Sequence, residues 1–131
     1  IGQRPFANLP VSKREPSTKR EHYHVYVILL RAEAISHHAY LLDFNPERCE
    51  NHPWLYVGYT GRTPETRFQA YRRGDKASQI GRDFGVCLIP DLYTYLNPVN
   101  GRGAAVETER RFAASLRKQG YTVTAGHHDW E

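Results

Sequence analysis

The chain has 131 residues and a mass of 15.1 kDa, enough for one domain with a modest core. With 40% hydrophobic and 24% charged residues it reads as globular, and its longest apolar run, Val25 to Leu30, is too short to cross a bilayer. A net charge of +4 and a pI near 9.2 favour a polyanionic partner, while two cysteines, Cys49 and Cys87, are too few for a disulfide scaffold.

Residues 1–21 contain Pro5, Pro10 and Pro16 with the basic pairs Lys13-Arg14 and Lys19-Arg20, and read as a flexible basic arm. This polar, proline-bearing start is unlike a secretory signal, which leads to the expectation of a cytoplasmic protein. The chain also lacks Met, which reads as a processed chain or a domain cut from a longer polypeptide. The folded domain is expected over residues 22–131. From Tyr23 to Leu30 the residues suit a central strand covered on both faces. Residues 31–53 read as a short helix within a long connection. Trp54 to Thr60 reads as a second strand, stopped by Gly61. Thr63-Pro64-Glu65 is a helix start, with a hydroxyl cap, a first-turn proline and an acid; that helix should run to Arg73 and stop at Gly74.

A short helix over Ala77 to Phe84 and a third strand at Val86–Ile89 follow, with Cys87 expected as a buried thiol. Asp91 to Leu96 fits no single pattern, and Asn97-Pro98 with Asn100-Gly101 marks a turn. The last helix is expected from Gly103 to Gln119, stopped by Gly120, with a final strand at Tyr121–Thr124. Alternating strands and helices define a mixed α/β class around a small sheet.

In that last helix, Ala105, Phe112, Ala113 and Leu116 form a core-facing stripe, and Glu109 falls inside it. An inward carboxylate must be paired, hydrogen-bonded or bound to a cation; a salt bridge to a neighbouring arginine is the plain alternative. On the second strand, alternation puts Tyr56, Gly58 and Thr60 on one face, leaving open space beside the Tyr56 ring. Arg67 and Tyr71, four apart, share a helix face. A guanidinium fork suits phosphate oxygens, and a phenol can orient or deprotonate water.

His24-Val25-Tyr26, then Tyr56-Val57-Gly58-Tyr59-Thr60, then Thr63-Pro64-Glu65-Thr66-Arg67-Phe68 with Tyr71, then Glu109 and Leu116-Arg117 before Gly120-Tyr121, together resemble the GIY-YIG nucleases over residues 23–124. The likeness extends to the small stand-alone bacterial and phage members. It implies an α+β fold with a small, mostly antiparallel three-stranded sheet flanked by helices, and a metal-dependent endonuclease, DNA favoured over RNA and no membrane involved. In that family the helical glutamate, here Glu109, holds a single divalent cation, Mg²⁺ or Mn²⁺. Tyr56 would orient or deprotonate the attacking water, Arg67 would grip a phosphate oxygen and favour the phenolate, and Tyr26 and Tyr71 would complete the contacts.

Arg62, Arg72, Arg73, Lys76 and Arg82, with Arg102, are the candidates for tracking the nucleic-acid backbone. The sequence departs from the family pattern at His24, where the first triplet has glycine, at Tyr59, where lysine is frequent, and in the spacing of about thirty positions from Tyr26 to Tyr56. The alternatives are an inactive nucleic-acid-binding module on the same scaffold, an effector or toxin nuclease domain, and a small α/β protein whose Glu109 is only salt-bridged. Cys49-x-x-His52 and His127-His128 do not complete a four-ligand zinc set at familiar spacing.

Overall fold

β1, His22–Leu30, is the hub of the sheet in the computed structural model, which describes residues 22–74 and 79–125. Val25, Val27 and Ile28 have no exposed surface, because β1 is covered on both faces and flanked on both edges. Along one edge it pairs antiparallel with β2, Trp54–Thr60, from His24 opposite Thr60 to Leu30 opposite Trp54. Along the other it pairs antiparallel with β3, Gly85–Leu88, and at its start with β4, Val99–Asn100. β5, Thr122–Ala125, adds parallel to β2, so the strand order is β3-β1-β2-β5 with β4 set on β1.

The α+β class therefore stands, but among the described residues the sheet has five strands where three were expected. The turn expected around Asn97–Gly101 contains the two residues of β4. β5 is parallel because α5, Arg102–Lys118, carries the chain back across the sheet before it.

The long connection after β1 holds α1, Ala34–His37, and a 3-10 turn at Ala39–Leu42. α2, Pro64–Arg73, starts and stops as its sequence dictates. The Thr63 hydroxyl accepts from the Thr66 N–H at 3.1 Å, and Gly74 closes the helix with a φ of 82° that a side chain would oppose. α3 spans Gln79–Phe84. The ambiguous stretch after β3 resolves into α4, Pro90–Tyr93, and a 3-10 turn at Thr94–Leu96. α5 buries Ala105, Glu109, Phe112, Ala113 and Leu116 and packs against β1, β2, β4 and β5. Among the described residues no helix is long and apolar enough to cross a membrane.

One expectation fails on β3. Cys87 is exposed, and so is Val86 at 41%. The apolar run Val86–Ile89 reads as interior, yet β3 lies at the margin of the sheet, with no strand on its outer edge among the described residues. Two asparagines act as surrogate strands. Asn97 accepts from the Val25 N–H and donates to the Val25 carbonyl, both at 2.8 Å, next to where β3 leaves β1. Asn45 accepts from the Val123 N–H at 2.8 Å and donates to the Val123 carbonyl at 3.1 Å, on β5.

Candidate active site

Pairing places Tyr26 of β1 opposite Gly58 of β2, and Tyr56 of β2 opposite Ile28, so both phenols rise on one face of the sheet. α2 lies over the same face and brings Tyr71 and Arg67 onto them. The Tyr26 and Tyr71 hydroxyls share a hydrogen bond of 2.8 Å. The ring centroids of Tyr26, Tyr56 and Tyr71 stand 6.0 to 6.5 Å apart, in edge or tilted contact. The Arg67 guanidinium lies 4.8 Å from the Tyr71 ring centre, as residues one helical turn apart allow.

Glycine makes the meeting possible. A Cβ at Gly58 would stand 2.6 Å from the Tyr26 hydroxyl oxygen and 2.8 Å from its ring carbon Cζ. The space expected beside Tyr56 is therefore not open; the Tyr26 ring fills it. A second glycine, Gly81 of α3, lies against the Tyr71 ring, where a Cβ would stand 2.8 Å from Cε2. Sequence reasoning did not single it out. Its one signal was a glycine inside an expected helix.

Burial governs the electrostatics. The three phenols are 2%, 5% and 2% exposed for Tyr26, Tyr56 and Tyr71. Tyr26 is pushed well above the ordinary tyrosine value, first by loss of water and then by the neighbouring Tyr71 and Tyr56, with Arg67 pulling the other way. For Arg67, burial works to lower the value, but the electrostatic interaction with Tyr26 and Tyr71 and a hydrogen bond with Tyr26 outweigh it and raise it. Tyr26 thus keeps its proton through any neutral pH, and Arg67 its charge.

Glu109 is wholly buried on the inner stripe of α5, which packs against the strands that carry Tyr26 and Tyr56. The neighbouring arginines are engaged elsewhere on the helix: Arg111 donates to Glu107 at 2.9 Å, and Arg110 lies 3.7 Å from it. Among the described residues no three His, Cys, Asp or Glu side chains gather. One carboxylate is a hard oxygen donor and fits a hard divalent cation in kind, with water and phosphate oxygens completing the coordination. Its lack of exposed surface means that a cation reaches it only if its cover shifts.

Outside the cluster, a cleft of about 330 Å³ opens at the start of α2, between His24, Thr63, Glu65, Tyr93 and Pro98. The Tyr93 phenol is pushed up to about 12 by burial and by the Glu65 charge. His24 uses Nδ1 to donate to the Arg62 carbonyl at 3.1 Å.

Arg62, Arg72, Arg73, Arg82 and Arg102 all lie on the surface. Arg72 is stacked over Phe68 at 5.5 Å and Arg82 is paired with Asp83 at 3.1 Å. Arg102 reaches the Tyr59 hydroxyl at 3.4 Å, so it supplies a basic group beside Tyr59. Lys76, the basic arm over residues 1–21 and His127-His128 lie outside the described residues. Cys49 and His52 pack on Gly120, where a Cβ would stand 2.7 Å from the Cys49 sulfur. No family model matches the chain, and no curated protein or solved structure matches it either.

Proposed function

We propose that the chain is a metal-dependent endonuclease of the GIY-YIG kind that hydrolyses phosphodiester bonds in nucleic acid, DNA first. The observation that carries the reading is the meeting of Tyr26, Tyr56, Tyr71 and Arg67 from three elements on one face of the sheet. Residues chosen for packing alone would not require a guanidinium among three phenols, nor a glycine opposite one of them.

The roles divide by environment. Tyr26 holds its proton, so it serves as a hydrogen-bonding member and not as the base. Tyr56, the least buried of the three, is left to orient or deprotonate the attacking water. Arg67 favours the phenolate and binds a non-bridging phosphate oxygen, holding charge that grows in the transition state. Glu109 would hold the cation. A bound Mg²⁺ or Mn²⁺ supplies charge neutralisation at the phosphate and the leaving oxygen. Arg62, Arg72 and Arg73 extend the basic surface along which a phosphate backbone can run.

The test is incubation with supercoiled plasmid, single-stranded DNA and RNA in Mg²⁺, Mn²⁺ or EDTA, beside Glu109→Gln and Arg67→Ala. Metal-dependent cutting is expected, abolished by Glu109→Gln and slowed about 10²- to 10³-fold by Arg67→Ala, the cost of losing one transition-state donor. Binding of DNA by all three proteins with no cutting under any condition would return the inactive binding module as the better account.

A further inference from the structure

We infer that Gly81 is a positioning residue of the phenol cluster: its missing side chain lets the Tyr71 ring stand where its hydroxyl meets that of Tyr26. The inference rests on the reading of that cluster as a hydrolytic site. Gly81 is buried on α3, and a Cβ built on it would lie 2.8 Å from Tyr71 Cε2 and 3.2 Å from Cδ2. Carbon atoms in packed interiors approach only to about 3.5 Å, so an alanine there must move the ring.

The ring cannot move freely. Its hydroxyl is held by Tyr26 at 2.8 Å, its edge meets the Tyr56 ring with centroids 6.0 Å apart, and the Arg67 guanidinium lies over its face. The backbone of Gly81 also passes close to the end of α3: its carbonyl oxygen stands where a Cβ at Gly85 would go, and Gly85 is itself a glycine.

Backbone conformation does not explain the glycine. The described glycines with positive φ are Gly74, Gly101 and Gly120, and Gly81 is not among them. Glycine weakens a helix, so its presence inside α3 is a local disadvantage that contact with Tyr71 accounts for. Gly81 touches no reacting atom; it acts through Tyr71 and, by the shared hydrogen bond, through Tyr26.

The experiment compares wild type, Gly81→Ala, Tyr71→Phe and the double variant. It follows single-turnover cutting of plasmid in Mn²⁺, affinity for the same DNA in EDTA, and the ultraviolet titration of the phenols at alkaline pH. Gly81→Ala is expected to slow cutting on the order of a hundredfold, the effect of a misplacement near 1 Å, with DNA affinity unchanged. Its phenol titration should reach completion at lower pH, because Tyr26 loses the hydrogen bond and the neighbour that help hold its proton. In the Tyr71→Phe background the same substitution should add little to the loss, since the two residues act as one unit.

Cutting by Gly81→Ala at the wild-type rate, or a full additional loss in the Tyr71→Phe background, overturns the inference. If wild type itself cuts nothing, the proposed function fails and the phenol titration decides the seating of Tyr71 alone: curves that overlay for wild type and Gly81→Ala overturn it. Should Gly81→Ala not fold, adding Tyr71→Leu removes the clashing ring atoms. Recovery of the fold supports the inference, and continued failure shows that Gly81 serves only the backbone.

Discussion

A phenol stripped of water holds its proton, and Tyr26 has lost nearly all of its water. Its folded-state value lies above the unfolded one near 10, so below about pH 10 both states carry the proton and stability is flat with respect to this group. Above that pH the unfolded chain releases the proton first, and stability falls as pH rises toward the folded value. Tyr93, pushed up to about 12, adds a second loss in the window from about 10 to about 12. Urea denaturation across pH 8 to about 12 should therefore show a plateau and then a decline, and Tyr26→Phe should flatten part of that decline. An identical alkaline slope in Tyr26→Phe would mean that Tyr26 titrates normally.

Gly58→Ala tests the same residue from its neighbour. A Cβ 2.6 Å from the Tyr26 hydroxyl oxygen has to displace it, at an expected cost of about 1–3 kcal/mol by denaturation. Alternation along β2 made the shared face of Tyr56 and Gly58 legible in the sequence. That Tyr26 fills the gap was not legible, because it depends on the register between β1 and β2, which no local pattern encodes.

At the scale of elements, local chemistry was readable where it is self-contained. Thr63, Pro64 and Gly74 bound α2 as expected because a cap hydroxyl, a proline ring and a positive φ act within a few residues. The stripe on α5 likewise came from its 3.6-residue period. Asn45 and Asn97 show the opposite case. Each precedes a proline and reads as a turn residue, yet each side chain clasps a strand 78 or 72 positions away. The parallel pairing of β5 with β2 and the placement of β3 at the margin, with Cys87 exposed, are long-range outcomes of the same kind.

The clasp predicts a large effect from a residue that looks like a loop polar group. Asn97→Ala removes both partners of a wholly buried backbone unit at Val25, and each buried group left without a partner costs about 1–3 kcal/mol. A combined loss of about 2 kcal/mol or more is expected in urea denaturation, together with faster hydrogen exchange at the Val25 amide. Unchanged exchange at Val25 would show that another group or water takes over the bond.

At the scale of the whole molecule, a charge of +4 is too small to identify a polyanion partner, so the distribution of the arginines matters more than their sum. Several of these arginines are already committed. Arg110 and Arg111 pair with Glu107, and Arg82 with Asp83, so part of the positive charge is neutralised within the protein. Arg62 and Arg72 are exposed outside such ion pairs, on the connection before α2 and on α2 itself, the element that also carries Arg67 and Tyr71.

If a phosphate backbone crosses α2 to reach the phenol cluster, these two arginines should release counterions when DNA binds. The affinity for a short duplex, measured in EDTA from about 50 to 200 mM salt, should then fall on a log–log line, with a slope of roughly −0.9 for each phosphate neutralised. Arg62→Gln and Arg72→Gln should each reduce that slope by about 1, while Arg82→Gln, whose guanidinium is already satisfied by Asp83, should change it less. Equal effects from all three would mean a diffuse electrostatic surface. A larger effect from Arg82 would put the path of the nucleic acid over α3 instead of α2, and the phosphate would then approach Tyr71 from the Gly81 side.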